Sequence, residues 1–248
     1  MKAMIFAAGL GTRLRPITDT MPKALVPVDG IPMLERVILH LKAFGFNKIV
    51  INIHHFGQQI LDFLKANENF GVTIMISDER GELLDTGGGI LKARQFLDGN
   101  EPFLVHNVDI LTDLDLKSLY DYHMSQQADA TLLTAERTTS RYLLLDDKSR
   151  VCGWTNVKTG EVKPTELPNP NLYKKEAFGG IHVISPSVFP SLATFSSEHK
   201  FSIIPYYLSV CLSLKIISYD TAYAYHWFDI GKPETLAKAD AWLQENKK

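Results

Sequence analysis

Gly9-Leu10-Gly11-Thr12-Arg13 follows directly on an apolar run, Ala3-Met4-Ile5-Phe6-Ala7-Ala8. Two glycines two apart after a strand let the backbone approach a phosphate and aim N–H groups at it. Arg13 adds a forked, permanent charge that suits phosphate oxygens. The dinucleotide pattern G-x-G-x-x-G is not met, because Leu14 stands where its third glycine would fall. Nor does Gly-Lys-Ser/Thr follow to make a Walker A loop. Met21-Pro22-Lys23-Ala24-Leu25-Val26-Pro27 comes next. A lysine between prolines reads either as a point charge held for a ligand or as a surface lysine in a proline-rich loop. A plain tight turn is the corresponding alternative at Gly9.

The elements around these residues alternate. Residues 3–8 form a short continuous apolar run ended by glycine, as in a strand covered on both faces. Residues 9–29 are rich in Gly, Pro and Thr and read as irregular. Met33, Leu34, Val37, Ile38 and Leu41 fall at helical spacing, with Gly45 as a stop. Residues 48–53 and 72–76 read as strands around a helix marked by Ile60, Leu61 and Leu64. A helix through Ile90, Leu91, Ala93 and Leu97 is expected after the glycine cluster, then a strand at 103–105 and a helix near 116–123. This β/α alternation implies a parallel sheet with helices on both faces. In such sheets ligands bind outside the carboxyl ends of the strands, so the loops after strands are where chemistry belongs.

The second half is less regular. Residues 130–135, 142–145 and 151–154 read as strands, with a turn at Asp146-Asp147-Lys148-Ser149. Residues 161–175 are polar with three prolines and read as a mobile loop. A strand at 178–184, a helix at 201–214, strands at 215–218 and 223–228, and a helix at 233–244 complete the chain, the last with Pro233 at its start.

Composition narrows the function classes. The 248 residues carry 26 Lys+Arg and 28 Asp+Glu, a formal charge of −2, so the general basic excess of many nucleic-acid and anionic-membrane binders is absent. With 45% apolar and 22% charged residues, the chain is not globally disordered. No apolar run reaches the roughly 18 residues of a membrane span. Cys152 and Cys211 form no CxxC pair and read as small apolar residues in a reducing compartment. His54, His55, His182 and His226 lack metal-ligand spacing. A cytoplasmic protein with no nucleic-acid or membrane partner is expected.

Several ordered segments carry a resemblance. Residues 9–16 read G-L-G-T-R-L-R-P, residues 22–28 P-K-A-L-V-P-V, and residues 30–34 G-I-P-M-L. Leu84-Asp85-Thr86-Gly87-Gly88-Gly89-Ile90, Asn107-Val108-Asp109 and His226-Trp227-Phe228-Asp229-Ile230-Gly231-Lys232-Pro233-Glu234 follow. In this order they resemble the nucleotidyltransferases that make NDP-sugars from a nucleoside triphosphate and a sugar 1-phosphate. Within that family the nearest likeness is to bacterial N-acetylmuramate-1-phosphate uridylyltransferases. It rests on the triple glycine after Asp85-Thr86, on Asn-x-Asp-x-x-Thr-Asp-x-Asp at residues 107–115, and on Phe178-x-Gly180-Ile181. Mannose-1-phosphate guanylyltransferases share most of these features.

The resemblance implies an α/β fold: a doubly wound, mostly parallel Rossmann-like sheet with a small antiparallel sugar-binding insertion and no C-terminal β-helix, one domain over residues 1–248. It implies attack by a sugar-phosphate oxygen on the α-phosphorus of the triphosphate, with UTP and N-acetylmuramate 1-phosphate favoured, in a monomer or small homo-oligomer. That nucleophile is already an anion, so catalysis is positioning and charge neutralisation. Arg13 is expected on the β- and γ-phosphates and Lys23 on the reacting phosphates. Asp109 and Asp229 are expected to hold Mg²⁺, which takes one or two carboxylates plus substrate phosphates. Ala7, Ala8, Gly9, Gly11, Thr12, Asp85, Thr86, Gly87, Gly88 and Asn107 are expected around the nucleotide, with a flat base lying on the glycines. Asn52, Gly180, Glu166 and Arg141 are candidates for the acceptor side, Asn52 for nucleotide or sugar. Asp113 and Asp115 read as helix caps, and capping is the alternative for Asp109 and Asp229.

Two departures stand out. Val108 occupies the position where the family usually has glycine, and the F-x-E-K-P motif before the sugar-binding strand is missing, with Thr165-Glu166-Leu167-Pro168 and Lys174-Lys175 in that region. A phosphocholine cytidylyltransferase would need aromatic faces for a quaternary ammonium, for which Tyr142, Trp154, Tyr173 and Phe178 are candidates. A non-catalytic NDP-sugar-binding homologue is the third reading, and heptose 1-phosphate a further acceptor.

Overall fold

Apolar residues in short continuous runs build the centre of the sheet. The structure, a computed structural model, describes residues 1–167, 169–221 and 223–246. Strand β1 (Lys2–Phe6) leads through three single-turn 3-10 segments to the short hairpin β2 (Pro27–Val28) and β3 (Ile31–Pro32). Helix α1 (Met33–Ala43) follows, and Met33, Leu34, Val37, Ile38 and Leu41 are its buried stripe. Then come β4 (Lys48–Ile53), α2 (Gly57–Ala66), β5 (Thr73–Asp78), α3 (Asp85–Lys92), α4 (Arg94–Leu97), β6 (Phe103–Asn107), β7 (Ile110–Thr112) and α5 (Leu116–Gln126). The second half holds β8 (Ala130–Ala135), β9 (Arg141–Leu145), β10 (Val151–Asn156), β11 (Glu161–Lys163) and β12 (Lys174–Ile184). It closes with α6 (Phe189–Thr194), α7 (Ile203–Val210), β13 (Ile216–Tyr219), β14 (Trp227–Asp229) and α8 (Pro233–Glu245).

The large sheet is mixed and mostly parallel at its centre. β1 pairs in parallel with β4 and β6, β4 with β5, and β8 with β13. β12 lies antiparallel between β6 and β8, so it alone runs against those neighbours. At Gly179 and Gly180 its register with β8 shifts, and its first residues, Lys174 to Glu176, pair instead with β9. That bend feeds a small antiparallel sheet, β9-β10-β11, the expected insertion. One core packs α1, α2, α5 and α8 on one face of the sheet; a second buries Tyr206, Tyr207, Phe103 and Phe189 on the other.

Some expected boundaries move. Residues 161–175, read as a mobile loop, contain β11 and the start of β12, because Glu176 is buried against Thr134 and Lys174; Pro168 lies outside the described residues. The helix expected after the glycine cluster begins at Asp85 and takes in all three glycines. Of the strand expected at 223–228, Trp227–Asp229 forms, paired with β7. The expected helix at 201–214 is confined to Ile203–Val210. Asp115 caps α5 by accepting from Ser118 N–H at 2.9 Å. Asp113 caps nothing: it accepts from His226 N–H at 2.6 Å and pairs with His226 Nδ1, which fixes the approach to β14.

Candidate active site

The register of the parallel strands places Asn52, Phe6 and Asn107 side by side at the carboxyl ends of β4, β1 and β6. A cavity of about 320 Å³ opens there, walled by Ala8, Gly9, Lys23, Asp85, Thr86, Asn107 and Asp109 among others. Pro22 starts the 3-10 turn that carries Lys23, and Ala24 anchors that turn in the core. Lys23 Nζ donates to Asp109 Oδ2, and the two side chains are only 11% and 16% exposed. Held mostly out of water, neither charge is readily released without the other. Val108 is buried in the core beside Asp109 and also reaches the cavity wall, which is how the chain accommodates a β-branched residue there.

Asn52 builds the loop after β1 from below. Its Oδ1 accepts from Ala7 N–H at 2.7 Å and Ala8 N–H at 3.3 Å, and its Nδ2 donates to Glu79 Oε1 at 2.8 Å. Glu79 is fully buried, and its Oε2 accepts from Leu84 N–H at 3.2 Å. Burial pushes the Glu79 carboxyl above its ordinary range, while the Asn52 and Leu84 donors favour its charged form.

Asp229 arrives from the far end of the chain. β14 pairs with β7, Asp229 opposite Ile110, and Ile230 N–H donates to Asp109 O at 2.9 Å. The two aspartates are thus tied through their backbones. Asp229 Oδ1 accepts from Gly231 N–H at 2.9 Å and lies 3.9 Å from Arg13 Nη2. A Cβ on Gly231 would sit 2.4 Å from Arg13 Nη2, so this glycine makes room for the guanidinium. Asp229 faces a second cavity of about 490 Å³, which also meets Arg137, Arg141, Tyr142, Trp154, Trp227 and Lys232.

Of the residues expected here, Lys23, Asp109, Asp229, Ala8, Gly9, Asp85, Thr86, Asn107, Asn52 and Arg141 line the two cavities, and Arg13 stands beside Asp229. Others are placed differently. The N–H groups of Ala7 and Ala8 are taken by Asn52, so Asn52 supports the loop as well as lining the cavity. Gly87 and Gly88 lie inside α3, and both N–H groups donate to Phe201 O, at 2.8 and 3.2 Å. Added Cβ atoms would lie 2.4 Å from the Phe201 ring and 2.1 Å from His199 O. These glycines let residues 199–201 cross the helix. Gly180 is buried with φ +75°, and a Cβ there would meet Asn107 Nδ2 at 2.9 Å, so glycine lets β12 pack on Asn107. Glu166 is exposed, bonded to Thr165, and lines neither cavity. Gly11 and Thr12 continue the loop beyond the cavity; Gly11 has φ +66° and its carbonyl accepts from Thr18 Oγ1 at 2.8 Å. Glu79, Lys200 and Arg137 were not singled out. Glu79 follows a strand end, the one signal that pointed to it.

Among the described residues, no group of three or more His, Cys, Asp or Glu could hold a metal alone. Asp109, in the turn between β6 and β7, and Asp229, at the end of β14, offer hard carboxylate oxygens. That donor set fits Mg²⁺, whose remaining ligands are substrate phosphates and water.

The nucleotidyl transferase family matches residues 2–246. The chain belongs to that family. A member from Neisseria meningitidis serogroup B, an N-acetylmuramate alpha-1-phosphate uridylyltransferase, is 48% identical over 120 residues, 48% of this chain and 52% of that one. The match thus spans about half of that relative's length. A Caulobacter vibrioides protein of the same description is 30% identical over 98% of this chain and 97% of its own. Among solved structures, an apo UDP-glucose pyrophosphorylase superposes with TM-score 0.80 over all of both chains at 18% identity, a likeness of fold. No helix among the described residues is long and apolar enough to cross a membrane.

Proposed function

We propose that the chain transfers a nucleoside monophosphate from a nucleoside triphosphate to a sugar 1-phosphate. The observation that carries this is one carboxylate on each of two cavities, Asp109 and Asp229, whose backbones are tied through Ile230 N–H. The acceptor phosphate oxygen attacks the α-phosphorus, the bond to the bridging oxygen breaks, and pyrophosphate leaves. The nucleotide takes the cavity at β1, β4 and β6, and the sugar phosphate takes the one beside Asp229. No general base is required, since the attacking oxygen is already an anion.

Asp109 and Asp229 would hold Mg²⁺. When bound, it neutralises phosphate charge and fixes the two substrates relative to each other. Lys23 holds Asp109 in place and presents its charge to the reacting phosphates. Arg13 lies over Gly231 beside Asp229, where its fork meets phosphates that reach out of the cavity.

UTP and N-acetylmuramate 1-phosphate are the favoured substrates, supported by the Neisseria and Caulobacter relatives. This makes the chain a supplier of cell-wall precursors acting in the cytoplasm. The test is a matrix of four nucleoside triphosphates against muramate, mannose, glucose and heptose 1-phosphates and phosphocholine, with Mg²⁺, read by pyrophosphate release. UTP with the muramate derivative is expected to be fastest. Turnover by no pair would overturn the reading.

A further inference from the structure

We propose that Arg137 is the residue that grips the acceptor's phosphate, an assignment that rests on the function proposed above. The second cavity lies where β12 bends out of the central sheet, with Ala177 and Phe178 on its wall. Arg137, in the connection between β8 and β9, stands over the Trp227 ring with its Cζ 3.6 Å from the ring centroid. Its Nη2 donates to Phe178 O at 2.8 Å and Ala177 O at 3.3 Å. One edge and one face of the guanidinium are therefore fixed by the protein. The remaining N–H groups have no hydrogen-bond partner among the described residues.

Nor does a contact ion pair answer the charge. Among the described residues, no carboxylate lies within ion-pair distance of Arg137, Arg141 or Lys232, although all three border this cavity. Arg137 is the half-buried member of the three; Arg141 and Lys232 are exposed. Holding a cation there without an ion-pair partner costs stability, and the Nε and Nη1 N–H groups left over by the two carbonyls are charged donors for phosphate oxygens. Its position selects the phosphate and not the sugar. Arg137 shares this cavity's wall with Asp229 and stands over Trp227, two residues before it, and the attacking oxygen has to lie beside Asp229 to reach the α-phosphorus. Trp154 and Tyr142, farther along the cavity, present aromatic surface to the sugar.

The bland alternative is a staple joining β12 to β14 through Trp227. Arg137→Ala and Arg137→Lys separate the two. With the fastest acceptor of the panel, Arg137→Ala is expected to raise the acceptor KM by roughly tenfold or more, as for loss of a charged hydrogen bond. The triphosphate KM is expected to stay within about twofold. Arg137→Lys, keeping charge without the fork, is expected to fall between. A lowered Tm with both KM values shifted together would overturn the proposal. If the wild-type chain turns over no acceptor, the functional reading fails by itself, and Arg137 is then read by calorimetric titration with inorganic phosphate and glucose 1-phosphate. Roughly tenfold weaker binding in Arg137→Ala supports the assignment; equal affinity overturns it.

Discussion

Lys23 and Asp109, 86 residues apart in the chain, meet as an ion pair at the floor of the nucleotide-side cavity. The pair joins the 3-10 turn behind Pro22 to the turn after β6. Each partner sets the other's position before any phosphate arrives. A cation that already has a carboxylate partner can share it with an incoming phosphate without being drawn from water at that moment, the preorganisation that electrostatic catalysis relies on.

Asp109→Ala and Asp229→Ala are each expected to lower Mg²⁺-dependent turnover by about 10²–10³-fold or more, the scale of losing one preorganised charged contact. Asp229 is half-exposed beside an exposed Arg13, so the Tm of Asp229→Ala is expected to hold within a few degrees; Asp109→Ala strands the mostly buried Lys23 and is expected to lower the Tm, so its rate is read well below the melt. Steady-state pyrophosphate release and thermal melts check both halves. Near-normal rates in either variant would remove that residue from the metal site.

Gly9 and Gly88 are expected to respond oppositely to alanine. At Gly9 a Cβ meets no atom within 4 Å and points into open space by the cavity; at Gly88 it would lie 2.1 Å from His199 O. Gly9→Ala should leave the Tm unchanged and raise the triphosphate KM. Gly88→Ala forces residues 199–201 off α3, costing about 1–3 kcal/mol for overpacking. The helix propensity gained, about 1 kcal/mol, offsets part of that. Melting curves of the two variants, with triphosphate KM values, decide it; an unchanged Tm in Gly88→Ala would contradict the packing role.

Asn52→Leu is expected to strike stability and nucleotide binding together. It strands the N–H groups of Ala7 and Ala8 and one oxygen of buried Glu79, and each unsatisfied buried group costs about 1–3 kcal/mol. At roughly 2–4 °C per kcal/mol for a chain of this size, the Tm should fall by about 5 °C or more. The triphosphate KM should rise with it, because the loop at Ala8 and Gly9 loses its support, while the acceptor KM stays near its wild-type value. Glu79→Gln keeps one accepting oxygen and should show a smaller version. Equal shifts in the two KM values would argue against a loop-specific role.

Local pattern was enough where burial is continuous. The run at 130–135, Ala-Thr-Leu-Leu-Thr-Ala, is buried through Thr134 and became β8 with those bounds. The five periodic residues of α1 all became core. Pattern failed where polar residues are buried by partners far along the chain. Lys174 and Lys175 read as loop, yet they open β12, where the neighbouring Glu176 is buried because Thr134 and Lys174 answer it. The three glycines read as a loop before a helix, but they lie inside α3, where Gly87 and Gly88 make room for residues 199–201, more than a hundred positions away. Glu79 and Arg137 escaped notice for the same reason: their partners, Asn52 and Trp227, are neighbours only in the folded chain. The aspartates and Lys23 were legible because their chemistry travels with recognisable local segments.

His182 and His123 make stability depend on pH. Burial lowers His182 to about 3 and His123 to about 4, from 6.5. His182 lies between Phe178 and Tyr207, and neither ring nitrogen has a hydrogen-bond partner among the described residues. Between those folded values and 6.5, the unfolded chain binds protons that the native chain refuses, so stability is full above about 6.5 and falls as pH drops. From pH 7.5 to 5.0 each histidine removes on the order of 2 kcal/mol. In His182→Leu, the loss of unfolding free energy between these two pH values, measured in urea, is expected to shrink by about that amount relative to wild type. Carboxylates elsewhere titrate equally in both chains and cancel in the comparison. At pH 7.5 the variant should be close to wild type or more stable, since an apolar side chain replaces two unsatisfied nitrogens. An unchanged pH dependence would show that His182 is not held neutral in the native core.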